Sequence, residues 1–281
     1  LTTLADIDRL ILSSLKVEGI VRIVLARMQE IVPHDLIGVA VAEGEQPGNY
    51  RLYTRCGAAG AAEGMEVRTL SIASQDGRAL VRTPYRLFSP RREAGPHLLT
   101  VPREELALAL LLPLVVKGEL AAVICLGYRS RDSLGRELLA RARDFANRVT
   151  VALTNASAEE ELYQLAHYDT LTGLPNRLLL RDRLQQAIAG AARQQGAAAL
   201  FFIDLDRYKY VNDSLGHLSG DALLREVARR LHQLVRAGDS VARLGGDEFI
   251  LLLEDLRDLK EAVAASTRQA RDILDAFQHP F

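Results

Sequence analysis

The residues best suited to chemistry lie in the last third of the chain. Gly245-Gly246-Asp247-Glu248-Phe249 places two carboxylates beside an apolar run, Phe249 to Leu253. An acidic pair has no structural reason to open a strand that is otherwise apolar, because burying it unpaired is costly. Val241 to Leu253 reads as strand, turn, strand, with Gly245-Gly246 as the turn. A second carboxylate closes another apolar strand, since Ala198 to Leu205 ends in Ile203-Asp204-Leu205-Asp206. Two such strand ends can converge on a hard divalent cation. Oxygen donors without a His/Cys cluster suit Mg²⁺ or Mn²⁺ rather than zinc. The segment Lys209 to Asp221 adds an ammonium, an amide (Asn212), an imidazole (His217) and carboxylates within one loop-to-helix stretch. Taken singly, Asn212 and Asp213 read as helix caps and His217 as a surface residue. Taken together they read as a site.

Helices and strands must hold these groups. Asp169-Thr170-Leu171-Thr172-Gly173-Leu174-Pro175-Asn176-Arg177 is rich in turn formers, and Asn176 or Pro175 can open a helix after it. Upstream, helical spacing runs over Leu4 to Leu15 and Ile20 to Ile31. Short strands are expected over Leu36 to Ala42, Tyr50 to Arg55 and Arg68 to Ile72, with a short helix over Ser74 to Val81. Leu106 to Val116 and Leu120 to Tyr128 form a hairpin about Lys117-Gly118-Glu119. From Leu138 to about Ala166 there is no Gly or Pro, and Leu138, Ala142, Phe145, Val149, Ala152 and Ala156 follow a 4-3-4-3 spacing. That spacing fits a helix packed on its own domain, and equally the seam of a parallel dimer.

Composition narrows the partners. The 281 residues suffice for two domains, and 48% are hydrophobic. With 35 Lys plus Arg against 36 Asp plus Glu, no basic field exists to hold a nucleic-acid polymer. An anionic substrate must then be held by local groups or metal ions. The two cysteines, Cys56 and Cys125, lie far apart, which fits a reducing compartment and a cytoplasmic location. The most apolar stretch, Leu106 to Val116, is too short to cross a bilayer, so no membrane segment is expected in this piece. The chain begins at Leu1 and so reads as an excised piece of a longer product.

Four motifs in order resemble the GGDEF family: Asp169 to Arg177, Ile203 to Asp206, Asn212-Asp213 through Gly216-His217 to Gly220-Asp221, and Arg243-Leu244 before Gly245 to Phe249. The resemblance covers about residues 160 to 281. It implies a diguanylate cyclase, which joins two GTP molecules into cyclic di-GMP with release of two pyrophosphates. By the same resemblance, Asp204 and Asp247 ligate the metals with the carbonyl of Leu205, and Glu248 assists at the metal or the attacking hydroxyl. Asn212 and Asp221 read the guanine edge, while Lys209 and His217 face the phosphates with backbone amides near Arg207 and Tyr208. Each domain holds one GTP, so a homodimer is implied. Arg236-Ala237-Gly238-Asp239 matches the family's product-inhibition motif, with five residues between Asp239 and Gly245. An Arg at a helix end and an Asp in a turn would look the same. The alternative function is a non-catalytic module that binds GTP or cyclic di-GMP, such as the regulatory module of a GGDEF-EAL phosphodiesterase.

The first half resembles a GAF domain, most closely over Leu112 to Leu120 and Ala122 to Gly127. An unrelated α+β domain stays open. Its small-molecule ligand is not readable. Neither cysteine is followed by His, and His34 and His97 stand alone. The expected fold is therefore α+β: a GAF-like antiparallel sheet with flanking helices (1–155), a helical linker (156–167), and a ferredoxin-like, nucleotidyl-cyclase-like GGDEF domain (168–281). The last is expected to be incomplete at its C-terminus, because the family continues beyond a point equivalent to His279-Pro280-Phe281 with a strand, a helix and phosphate-binding basic residues. A fragment lacking them is expected to be inactive by itself.

Overall fold

The computed structural model describes residues 16–43, 48–56, 64–93, 98 and 105–278. The helix expected over Leu4 to Leu15, His97 and the last residues, His279 to Phe281, lie outside them. The chain divides into two compact units, Leu1–Glu160 and Glu161–Phe281.

In the first unit, α1 (Val17–Ile31) buries Ile20, Val21, Val24, Leu25, Met28 and Ile31 on one face. Strands β1 (Leu36–Ala42), β2 (Asn49–Cys56), β3 (Gly64–Ser71), β4 (Arg86–Phe88), β5 (Leu108–Val116) and β6 (Glu119–Tyr128) form one sheet in the order β3-β2-β1-β6-β5-β4. Every neighbouring pair is antiparallel. The β5–β6 hairpin closes at Lys117 and Gly118, both at positive φ, which is what a two-residue hairpin turn with the twist of its strands demands. Both faces of the sheet are covered. Ile37, Val39, Tyr53, Leu112, Ile124 and Leu126 share a core with α1, while Leu52, Leu111 and Val123 share a second core with Leu80 of α2 (Ser74–Val81). That explains the unbroken apolar run of β6, which lies between the two cores.

The long helix α3 (Arg136–His167) is continuous, and residues 156–167 are its last turns. Ala142, Phe145, Val149, Ala152 and Ala156 are buried in the same core as Ile20, Val24 and Met28, with Leu138 half-buried beside them. The 4-3-4-3 row is thus the inward face of α3 and is taken by the unit's own core. The expected dimer seam does not lie on these residues. Heptad spacing reports an apolar face and says nothing of what that face meets.

The second unit contains α4 (Arg177–Gln194), β7 (Ala197–Asp204), α5 (Tyr208–Leu215), α6 (His217–Gln233), β8 (Ser240–Gly245), β9 (Glu248–Leu256) and α7 (Leu259–Gln278). Its three strands run antiparallel in the order β7-β9-β8. Leu224, Val227 and Leu231 of α6, Phe249, Leu251 and Leu253 of β9, and Ala262, Ala265 and Ile273 of α7 make the main core. Leu180 of α4 meets Ala242 and Ile250 in a smaller one. Among the described residues the outer edge of β7 carries no strand, and Phe202 on it is 77% exposed.

Candidate functional site

The β7–β9 register brings the acidic residues together. Asp204, the last residue of β7, is paired directly with Glu248, the first residue of β9. Gly245 pairs with Glu248 across the β8–β9 hairpin, so Gly246 and Asp247 are the two turn residues. This shifts the sequence expectation by one step, for Asp247 sits in the turn itself rather than in the strand. Gly245 has φ 139° and Gly246 φ 54°, conformations that favour glycine. A two-residue loop with a register shift beside it puts Asp247 in the turn directly before the Asp204–Glu248 pair. Asp204 and Glu248 are exposed, and Leu205 follows at once with its carbonyl accepting from the Tyr208 amide at 3.1 Å.

A cation could be held by Asp204, Asp247 and the free lone pair of the Leu205 carbonyl. Among the described residues no group of three or more His, Cys, Asp or Glu side chains gathers as a ready-made metal cage. Two carboxylates and a carbonyl fit a hard divalent ion that takes its remaining ligands from substrate phosphate and water, as Mg²⁺ sites do, and do not fit zinc.

Helices α5 and α6 hold the second group. Arg207 starts α5 from the left-handed region at φ 61°, and Lys209 is exposed in the first turn. His217 is the first residue of α6 and is exposed. Asn212 and Asp221 are half-buried, and α5 packs on α6 at Asn212 and Gly220. A Cβ at Gly220 would stand 2.0 Å from Asn212 Oδ1 and 3.0 Å from the Tyr208 hydroxyl, so the approach of these helices requires glycine there. Asn212 Oδ1 is buried and has no protein partner. No contact joins Lys209 or His217 to Asp204 or Glu248 among those seen.

Arg236 and Asp239 lie apart from this group. They precede β8, at the end of the hairpin opposite Gly245-Gly246, and β8's six residues put roughly 17–20 Å between the two ends. Arg236 Nε donates to Asp239 Oδ1 at 3.2 Å, and its Nη2 donates to the Glu254 carbonyl at 2.5 Å. Asp239 Oδ1 also accepts from the Glu254 amide at 3.2 Å. Asp239 is 5% exposed at its side chain and Arg236 59%. The aspartate therefore fastens β8 to β9, and the arginine covers it from solvent.

Two positioning residues escaped the reading of the sequence. Arg243 is buried to 9% exposure and donates from Nη1 to Asp169 Oδ1 at 2.9 Å. Its Nε and Nη2 both donate to the Gly246 carbonyl, at 3.0 and 2.7 Å. Asp169 in turn accepts from the amide and hydroxyl of Thr172, and the Arg243 amide donates to the Pro175 carbonyl. Asn176 caps α4 by accepting from the amides of Leu178 and Leu179, and donates to the Ala166 carbonyl. The turn-rich segment is therefore a clasp on the acidic hairpin. The available signal was an arginine inside the apolar strand Val241 to Leu244, which demands a buried partner.

Burial would raise the Asp169 carboxyl, but hydrogen bonds from Thr172 and Arg243 outweigh it and hold the group below its ordinary value. A carboxylate depressed in the folded state stabilises above its unfolded pKa, and that contribution is lost as pH falls through the folded one. Thermal melting followed from pH 7 downward should show a loss below the usual carboxylate range of about 4. Asp169→Asn should melt lower at pH 7 and converge toward the wild type in acid. A constant difference at every pH would show that the charge of Asp169 has no part in the clasp.

His34, one of the lone histidines, is structural. Its ring Nδ1 lies 2.7 Å from the Val32 carbonyl and burial lowers its pKa. The Cys125 thiol is buried, and burial pushes its pKa up. No helix among the described residues is long and apolar enough to cross a membrane.

The second unit resembles known proteins. Residues 166–281 match the family model described as diguanylate cyclase, GGDEF domain. The chain is 44% identical to a sensory box/GGDEF family protein of known structure from Caulobacter crescentus, over 41% of this chain and 73% of that one, with a TM-score of 0.37. Residues 166–281 are a GGDEF domain. Within that family its relatives include MucR of Pseudomonas aeruginosa, a bifunctional diguanylate cyclase/cyclic di-GMP phosphodiesterase, at 49% identity over 46% of this chain and 18% of that protein. The diguanylate cyclase TpbB of Pseudomonas aeruginosa is 44% identical over 41% of this chain and 26% of its own length. The chain thus spans about a quarter or less of these two relatives, and residues 166–281 are the GGDEF diguanylate cyclase domain they share.

Proposed function

We propose that the protein is a diguanylate cyclase that condenses two GTP into cyclic di-GMP, releasing two pyrophosphates. The observation that carries this reading is the direct pairing of Asp204 with Glu248 beside the Asp247 turn. Each condensation forms a bond between the 3′-oxygen of one GTP and the α-phosphorus of the other, breaks the α–β phosphoanhydride, and releases the hydroxyl proton. Bound Mg²⁺ or Mn²⁺ would supply charge neutralisation on the triphosphate. Asp204 and Asp247 would hold the ion with the Leu205 carbonyl, and Glu248 would stand beside the ion or the attacking hydroxyl. Asn212 and Asp221 would read the guanine edge. Backbone amides near Arg207 and Tyr208, with Lys209 and His217, would face the phosphates. The first unit would act as a GAF-type sensor over residues 1–155 for a small molecule, a reading supported by its six-stranded antiparallel sheet covered on both faces. The test is turnover of GTP by the full-length protein with Mg²⁺. Cyclic di-GMP and pyrophosphate should appear in a ratio of about one to two, as that stoichiometry requires. Tight binding of GTP without either product would favour a regulatory binding module instead.

Product inhibition is part of the same proposal. Arg236 would swing from Asp239 and Glu254 to take a guanine of cyclic di-GMP bidentately. Calorimetric titration of cyclic di-GMP should show Arg236→Ala binding about ten- to a hundredfold more weakly. Arg236 is the informative substitution, because Asp239→Ala would also strip the Glu254 amide of its partner. Equal affinity in wild type and Arg236→Ala would leave the pair with its structural role alone.

A further inference from the structure

In the first unit a cavity of about 590 Å³ opens between α2 and the adjoining ends of β1, β2 and β6. Its apolar lining comes from Tyr50, Ile72, Val81 and Leu120. The Tyr50 hydroxyl donates to the Leu120 carbonyl at 3.2 Å, so what the tyrosine has left for a ligand is its ring. One stripe of α2 forms a wall, with Gly77, Arg78 and Val81 on the helix and Arg82 at its C-cap. Arg78 and Arg82 are exposed, one turn apart. The only carboxylate of α2, Asp76, lies 3.6 Å from Arg86 instead, and neither Arg78 nor Arg82 has an ion pair among the described residues. Unpaired surface arginines are common, and what sets these apart is Gly77. Glycine inside a helix weakens it relative to other residues. A Cβ at Gly77 would meet nothing within 4 Å, so no packing contact demands glycine there. The missing side chain instead leaves room in the cavity wall beside Arg78.

We infer that this cavity binds a small organic monoanion with an apolar body, its carboxylate held by Arg78 and Arg82 and its body laid against Tyr50, Ile72 and Leu120. Guanidinium groups suit a planar anion, which they can grip with paired hydrogen bonds. An apolar lining with a few charged groups at one side is the usual make-up of a small-molecule site, and the volume suits one. Glu119 lines the same cavity and forms an ion pair with neither arginine. Its charge opposes a second negative charge on the ligand, which separates this ligand from the polyanionic nucleotides of the second unit. The regulatory purpose of such a ligand rests on the sensor reading of the first unit. The site itself rests on the cavity and on Gly77.

Titration of the full chain with 4-fluorophenylacetate, followed by fluorine NMR, tests the site. The acid should bind at a single site, and its neutral amide about tenfold or more weakly. Replacing both arginines, Arg78→Gln with Arg82→Gln, should weaken the acid by a similar factor and leave melting unchanged, because both side chains are exposed. Gly77→Leu should abolish binding by filling the cavity, yet melt no lower than wild type, since leucine is the better helix former and has open space to enter. Pyrophosphate should not displace the acid. Absence of binding, equal binding of acid and amide, displacement by pyrophosphate, or wild-type affinity in the double arginine variant or in Gly77→Leu would overturn the site. Should Gly77→Leu melt lower, the arginine pair decides alone. Binding that leaves GTP turnover by the full-length protein unmoved would count against the sensor reading and leave the site standing.

Discussion

Asp247→Ala in the full-length protein is expected to lower cyclic di-GMP formation by on the order of a thousandfold while leaving the fold intact. The carboxylate sits in a two-residue turn beside the paired Asp204 and Glu248, so it is placed to act on whatever binds between the strand ends. Loss of one of two anionic ligands removes charge compensation where a pentavalent phosphorus would carry most negative charge. The side chain is only half-buried and the turn geometry belongs to Gly245 and Gly246, so stability should move by about 0.5 kcal/mol or less. Asp204→Asn should behave alike, for it keeps shape and removes charge. Thermal melting and a GTP turnover assay on the same preparations separate the two effects. Turnover within tenfold of wild type in both variants would sink the assignment of these carboxylates.

The second large effect concerns stability. Val149 is 1% exposed and shares its core with Ile20, Val24, Phe145 and Ala152. Val149→Glu should destabilise the first unit by more than about 4 kcal/mol, since a charge would be buried with no partner. Val149→Ala should cost about 2 kcal/mol, the loss of two methyl-sized groups plus a small void. Urea unfolding followed by circular dichroism should show the first-unit transition moving early in Val149→Ala and absent in Val149→Glu. A Val149→Glu protein with an unshifted transition would mean that the residue faces outward and that the inward face of α3 has been misassigned.

Much of the second unit was legible because its chemistry sits at strand ends, where residue type conflicts with the local apolar pattern. Asp204 and the Gly245 to Phe249 run declared themselves that way, and their pairing followed once β7 and β9 were in register. The clasp did not, because Asp169 looks like any turn residue until Arg243 is placed beside it. Helix α7 and the short strand β4 were not foreseen. The former carries no motif, and the latter has three residues, too few to show a period. The row from Leu138 to Ala156 was seen but its partner was not, since a repeat along one helix cannot distinguish an inward face from an outward one. Burial resolved that point.

The clasp has a kinetic meaning. A β-hairpin such as β8–β9 closes locally within microseconds. Arg243 and Asp169 are separated by 74 positions, so their bond closes a long loop and carries a larger entropic cost than the hairpin does. Until then the Gly246 carbonyl lacks the Arg243 guanidinium, and Asp247 rides on an unanchored turn. The rigidity of the acidic corner is thus tied to a contact that only the folded unit as a whole supplies.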